Sequence, residues 1–159
     1  MADDEEIQNV VPLLLSTGKR GNMNLLKKLV GEYGDKLPVA GKDGLGNTTL
    51  HYACFGGYLD AVEELVKLKA PLDAQNLAGD TPLHKAVDRN HAPVVKFLLK
   101  SGASPDVQNR KGQQPINMAR NADVRKALKE RTHEKELESL GMAPTKDDDM
   151  MMCEDSDDD

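Results

Sequence analysis

The sequence predicts an all-α solenoid of four helix-turn-helix repeats joined by short hairpin loops. Three related segments recur every 33 residues, with Thr48, Thr81 and Gln114 at equivalent positions. Aromatic residues make up only 3% of the chain and tryptophan is absent. That composition favours thin layers of small apolar side chains over one deep core. Each segment also leads into a short turn and a second helical stretch, as a helix-turn-helix unit requires.

The repeat is best seen in residues 46–53, 79–86 and 112–119. The second of these contains Thr81-Pro82-Leu83-His84-Lys85-Ala86, a T-P-L-H-x-A core. A 33-residue period with this core is typical of ankyrin repeats. The sequence therefore resembles the ankyrin-repeat family, and the resemblance implies a solenoid that binds other proteins.

The residue types of the core have physical reasons. Thr81 can cap the helix that Pro82 begins, because proline fits a first helical turn. Leu83 is expected to pack between helix pairs, and Ala86 is small enough for adjacent helices to approach closely. We expect His84 to hydrogen-bond the backbone of a neighbouring loop. The equivalents one repeat earlier are Leu50, His51 and Ala53. The hairpin turns are assigned to Gly46, Gly79 and Gly112.

The terminal repeats are degenerate, and the predicted boundaries follow from them. We expect the ankyrin-repeat domain over residues 12–131, with repeats near 12–42, 43–75, 76–108 and 109–131. Around it we expect an acidic N-terminal extension at 1–11, a helical extension at 132–144 and a disordered acidic tail at 145–159. The first repeat lacks the T-P-L-H core, and the fourth has a shortened first helix and turn. Polar terminal repeats keep a solenoid soluble.

Charge is concentrated at the two ends of the sequence. The net charge is −6, yet residues 3–6 carry four acids and residues 147–159 carry eight. Between residues 7 and 146, fifteen acids remain against all 21 lysines and arginines. The body is therefore basic and the ends are acidic, which the net value alone would hide.

Several sequence features also indicate the cellular compartment of the protein. No apolar stretch approaches the length of a membrane span. The acidic start does not look like a secretory signal, and Cys54 and Cys153 do not suggest a disulfide framework. We expect a monomeric intracellular protein, in the cytoplasm or in the nucleus.

No catalytic, cofactor or metal site is expected. The sequence has no nucleophile elbow, no phosphate-binding loop and no glutamate between metal-spaced histidines. His51 and Cys54 share a helix and His84 lies one repeat away, but histidine in this motif is interpreted as structural rather than as a zinc ligand. Basic residues near the C-terminal cap lack stacking aromatics, so nucleic acid is not an expected partner.

The sequence resembles one group of ankyrin proteins in particular, the osteoclast-stimulating factor group. The resembling segments are residues 19–22, 52–57, 79–81, 117–122 and the acidic stretch 154–157. The resemblance implies an adaptor or signalling role through the ankyrin surface. Members usually carry an SH3 domain before their repeats, and no such domain is recognisable here. We therefore expect no binding of proline-rich ligands.

The family resemblance implies that partners bind the hairpin tips and the exposed side of the first helices. Positions that vary between repeats are the candidates for recognising the partner. They are Lys19, Arg20, Leu45, Asn47, Tyr52, Phe55, Leu77, Asp80, Asp88, Arg89, Arg110, Lys111, Gln113 and Asn121. Tyr52 and Phe55 are the strongest candidates, because rigid aromatics dominate interfaces. The alternative for each residue is a solvated or locally packed side chain.

The acidic tail leaves several interpretations open. It could engage a basic protein, which makes a chaperone-like escort the alternative to an adaptor. Ser156 is followed by three aspartates, a pattern that acid-directed kinases favour, and a phosphate there would add about −1.5 to −2 charges. The tail could also fold back on the basic cap, or only keep the protein soluble.

Deletion of residues 147–159 separates the escort from the adaptor. An escort should lose its basic partner in pull-down experiments, because the deletion removes eight acids. An adaptor should keep its partner. Retention of a basic partner by the shortened chain would contradict the escort.

Overall fold

A computed structural model describes residues 4–142, and in that part of the chain the backbone forms eight α-helices and one 3₁₀ turn, without strands. The helices are α1 (Asp4–Arg20), α2 (Met23–Tyr33), α3 (Thr49–Gly56), α4 (Leu59–Lys67), α5 (Pro82–Asp88), α6 (Ala92–Lys100), α7 (Pro115–Met118) and α8 (Ala122–Ser139). The 3₁₀ turn is Gly34–Lys36. The prediction of an all-α repeat solenoid is confirmed. None of the described helices has the length and apolar character needed to cross a membrane.

The helices stack in two layers. The first helices α1, α3, α5 and α7 pack side by side, and the second helices α2, α4, α6 and α8 form the other layer. Leu50 and Leu83 lie fully buried between the helix pairs, as predicted. Ala53 and Ala86 are also fully buried, because a larger side chain would hold adjacent first helices apart. Hydrophobic burial thus links each pair to the next.

A threonine and a histidine cap the first helix of the second pair. The Thr48 hydroxyl accepts a hydrogen bond from the backbone N–H of His51 (3.4 Å), and the Thr48 N–H donates to the His51 Nδ1 (3.0 Å). The other ring nitrogen, Nε2, contacts the carbonyl oxygen of Asp80 at 2.9 Å. Since a carbonyl only accepts and a backbone N–H only donates, the imidazole is the neutral tautomer protonated at Nε2.

The same arrangement recurs one repeat later. Thr81 caps α5, and the Nε2 of His84 lies 3.0 Å from the carbonyl oxygen of Gln113. The prediction that these histidines bond a neighbouring loop is confirmed. Both ring nitrogens of each histidine are engaged in hydrogen bonds. Cys54 is buried in the core, where desolvation raises the pKa of its thiol.

The first helix runs across the predicted N-terminal boundary. The helix α1 begins at Asp4 and includes residues 4–11, which the sequence analysis assigned to an acidic extension. Val10, Leu14 and Thr17 follow one another at helical spacing and are buried. The buried face of this helix thus continues on the N-terminal side of residue 12, the predicted start of the repeat domain.

The helix α8 begins at Ala122 and runs without a break to Ser139, across the predicted boundary at residue 132. Asn121 caps it, because its side-chain oxygen accepts the backbone N–H of Asp123 at 2.7 Å. Lys135 on the extension forms an ion pair with Asp106, 3.3 Å away, which holds the helix against the preceding loop. The predicted tail at 145–159, with Ser156 and Cys153, lies outside the described residues.

Acid should weaken the fold through His51. Burial, reinforced by the charges of Lys85 and Lys42, lowers the pKa of this imidazole from 6.5 to about 4. Between those values the unfolded chain binds a proton that the folded chain does not. The free energy of unfolding should therefore fall as the pH drops from about 6.5 to 4, by up to about 3 kcal/mol from this group.

Urea unfolding at several pH values checks this. The variant His51→Gln should be less stable at neutral pH, because it loses the ring's hydrogen bonds, and should show a shallower decline in acid. His133→Gln, which changes an exposed histidine on α8, controls for the substitution. Equal acid slopes for the native chain and His51→Gln would contradict the assignment.

Candidate functional site

Each of the three hairpin tips is held by an Asp or Asn side chain at the same position of the repeat. Asp43, Asn76 and Asn109 stand three residues before the glycine of each tip, and each side-chain oxygen accepts two backbone N–H groups of its own turn. The distances from donor nitrogen to acceptor oxygen lie between 2.9 and 3.0 Å. Such bonds hold a tight turn in place of a sheet or helix ladder.

Neighbouring tips are also bonded to each other. The backbone N–H of Leu77 donates to the carbonyl of Leu45, and that of Arg110 to the carbonyl of Ala78, both at 3.0 Å. Gly79 allows the second approach, because a Cβ there would lie only 2.7 Å from the Arg110 nitrogen. The tips therefore form one continuous edge with a fixed spacing.

Side chains complete this edge and correct one predicted contact. Asn76 donates its amide to the side-chain oxygen of Asn47 at 2.8 Å, and Asn109 donates to the Asp80 carboxylate at 3.0 Å. Asn47 is only 7% exposed, so it holds two tips together and presents little surface to a partner. Asp80 is partly buried and also forms an ion pair with Lys85 at 3.4 Å.

Apolar side chains lie exposed on the first two tips. Leu45 is 63% exposed and Leu77 is 56% exposed, and their backbones are bonded to each other. On the third tip the corresponding exposed residues are Arg110 and Lys111. The edge thus changes from apolar to basic along the solenoid.

A cationic side chain lies over each of two aromatic rings on α3. The Lys19 ammonium lies 4.7 Å from the centroid of the Tyr52 ring, and the Arg89 guanidinium lies 4.2 Å from that of Phe55. The Tyr52 hydroxyl donates to the Asp43 carboxylate. Phe55 is 38% exposed. Each pair joins neighbouring repeats through side chains that remain accessible to a partner.

The bond between Tyr52 and Asp43 shifts both groups. Burial and the nearby carboxylate raise the pKa of the Tyr52 hydroxyl. Burial alone would raise the pKa of Asp43, but hydrogen bonds from Tyr52 and from the backbone of Asn47 and Leu45 lower it. Asp43 therefore stays ionised and the hydroxyl stays protonated, which keeps the hydrogen bond intact at neutral pH.

A cavity of about 210 Å³ opens between the third and fourth repeats. Its walls come from the second and third tips, from α5 and from the end of α7, which has only four residues. Four of the predicted contact residues line it: Asp80, Asp88, Lys111 and Gln113. Met118 also lines it. The structure thus brings together residues that the sequence places in two different repeats.

We call a set of exposed and half-buried residues on the tips and first helices the interaction strip. It consists of Lys19, Leu45, Tyr52, Phe55, Leu77, Asp88, Arg89, Arg110, Lys111 and Gln113. Two other predicted residues lie at its margins. Arg20 is exposed at the end of α1, and Asn121 is exposed but serves as the cap of α8.

Known proteins share the repeat. A family model described as ankyrin repeats in three copies matches residues 13–109. The chain belongs to the ankyrin-repeat family. Over 62 residues it is 34% identical to osteoclast-stimulating factor 1 of Danio rerio and 36% identical to that of Monopterus albus. These stretches cover 39% of this chain and 28% of each relative. The predicted resemblance is confirmed, and the chain matches less than a third of the relatives' length.

The ankyrin tips contain the group that the sequence analysis missed, namely Asp43, Asn76 and Asn109. A signal was present, because an Asp or Asn precedes each tip glycine by three residues at the 33-residue period. A short polar side chain before such a glycine is typical of an Asx turn. The bonds between ankyrin tips could not be read in the same way, because they depend on how closely the repeats stack.

Substitution of Asn76 should loosen the edge. Asn76→Ala removes two accepted hydrogen bonds and the donation to Asn47, and leaves the backbone donors of Ala78 and Asp80 without their acceptor. We expect a loss of about 1–3 kcal/mol in the free energy of unfolding, measured in urea. Amide exchange at Ala78 and Asp80 should accelerate. Asn24→Ala, an exposed substitution on α2, is the matched control. Equal stability of the two variants would contradict the role assigned to Asn76.

Proposed function

We propose that the protein is an intracellular adaptor that binds a partner protein on the interaction strip. The observation that carries the proposal is the exposure of Leu45 and Leu77 on two adjoining tips, together with that of Phe55 on α3. Exposed apolar side chains that are contiguous and bordered by polar groups mark sites of protein interaction. Ankyrin repeats in general serve protein–protein interaction, which supports the same assignment.

The backbone beneath the strip supports binding because it is ordered before a partner arrives. The Asx turns and the bonds between tips hold Leu45 and Leu77 at a fixed spacing. A surface of this kind loses little conformational entropy on binding, so more of the contact energy appears as affinity. Aromatic and arginine side chains are enriched among the residues that dominate such affinity, and Phe55 with Arg89 supplies both.

The role in signalling rests on the resemblance to osteoclast-stimulating factor 1. An adaptor needs a surface that recognises a partner without chemistry of its own. The strip offers apolar, aromatic and charged side chains, and the buried histidines His51 and His84 of the same first helices are engaged in helix caps. We therefore propose recognition, and not turnover, as the work of this surface.

The variant Phe55→Ala with Arg89→Ala tests the proposal. It removes the aromatic ring and the guanidinium stacked on it, and should weaken partner binding by roughly 30-fold, the size expected for an interface hot spot. Quantitative pull-down followed by mass spectrometry measures the retained partners. Asp60→Ala with Lys96→Ala, two exposed positions on second helices, is the control and should retain them. If every partner stays bound to the first variant, the proposed surface is wrong.

A further inference from the structure

We propose that the interaction strip selects an acidic segment of its partner, in which carboxylates alternate with apolar side chains. This inference rests on the proposed function and specifies the chemistry of the partner. It follows from which charges of the strip are already paired, from the cavity beside α7, and from the exposed leucines of the tips.

Among the described residues, none of the cations of the strip forms an ion pair. Five ion pairs occur there, and their cations are Lys67, Lys85, Lys126, Arg131 and Lys135. None of these belongs to the strip. Lys19 and Arg89 rest on aromatic rings, while Arg110 and Lys111 are exposed on the third tip. The strip therefore presents positive charge that an incoming carboxylate can pair with.

The carboxylates next to the strip are already engaged in hydrogen bonds or in an ion pair. Asp43 accepts the Tyr52 hydroxyl and two backbone N–H groups. Asp80 accepts the Asn109 amide and pairs with Lys85. A basic partner segment would find Asp88 as its main exposed acceptor while facing the repulsion of the surrounding cations. The strip thus discriminates against basic segments as well as favouring acidic ones.

The cavity beside α7 can admit one partner side chain. Lys111, Gln113 and Met118 line it, together with the carboxylate of Asp88 and the ion pair of Asp80 with Lys85. A partner side chain entering here would find an apolar contact in Met118 and polar contacts in Lys111 and Gln113. The cavity volume of about 210 Å³ accommodates a single side chain.

The apolar half of the recognition comes from the first two tips. Leu45 and Leu77 lie on adjacent tips whose backbones are joined by a hydrogen bond of 3.0 Å, so the two exposed side chains form one small apolar area. Apolar residues of a partner segment would meet these leucines, and its acidic residues would meet the basic third tip.

A protein segment fits the strip better than a single-stranded nucleic acid. Nucleic-acid binding of that kind uses free aromatic faces on which bases stack. Here the rings of Tyr52 and Phe55 each carry a cation on one face, and the tips expose leucines, which offer no stacking surface.

Selection from a library of random dodecapeptides displayed on phage, with the full chain as bait, tests the inference. The enriched peptides should be rich in Asp and Glu together with Leu, Ile, Phe or Met. A synthetic peptide of the enriched sequence is then titrated by fluorescence anisotropy. The variant Arg110→Glu with Lys111→Glu should bind it roughly tenfold more weakly, and added salt should shrink the difference. Lys96→Glu, an exposed cation on α6, is the matched control and should bind as the native chain does.

The outcomes separate this inference from the proposed function. If the enriched peptides are neutral or basic and fail to bind the variant Phe55→Ala with Arg89→Ala, the inference of an acidic partner is overturned. The proposed interaction surface would still be supported. Peptides that bind that variant unchanged would overturn the surface itself, and enrichment of no peptide would overturn the inference. Displacement of the peptide by oligouridine at equal affinity would point to nucleic acid and against the proposal.

One further bait tests occupation by the chain itself. The acids of residues 147–159 are replaced by their amides in the full chain. If the peptide binds this bait and not the native chain, the occupant is the chain's own acidic segment, and the proposal of an external acidic partner is overturned. Binding to both baits supports the proposal.

Discussion

A buried histidine that joins each central repeat to the next hairpin is the interaction on which the rest of the structure depends. His51 donates to the carbonyl oxygen of Asp80 at 2.9 Å while its other nitrogen accepts the N–H of Thr48 at 3.0 Å. A helix start and the following hairpin are thereby held by one rigid ring. His84 repeats the arrangement toward Gln113. The stacking of alanines and leucines supplies the burial energy, but these rings set the register between repeats.

Register matters because the interaction strip crosses repeats. Leu45 and Leu77 belong to different tips, and Phe55 and Arg89 to different helix pairs. A shift of one repeat against another would break the bonded edge and separate the ring from its cation. Hydrogen bonds between neighbouring repeats therefore fix the relative positions of surface side chains over several repeats, since each repeat contacts only its neighbours.

The fourth repeat differs from the regular repeats at the surface that a partner would meet. Its tip exposes Arg110 and Lys111, whereas the first two tips expose Leu45 and Leu77. The cavity between the third and fourth repeats is lined by this tip, by α5 and by Met118 at the end of the short α7.

Repetition is what the sequence by itself determined about this protein. The 33-residue period identified the family, the helix pairs, the capping threonines and the buried alanines. It could do so because the same residue types perform the same local roles in each repeat. Tertiary structure alone decided which polar residues face a partner. Asn47 and Leu45 are near neighbours on one tip, yet one is buried by Asn76 and the other is 63% exposed. That difference arises from contacts between repeats, as does the start of α1 at Asp4, whose helix continues along the apolar face that packs on α2 and α3.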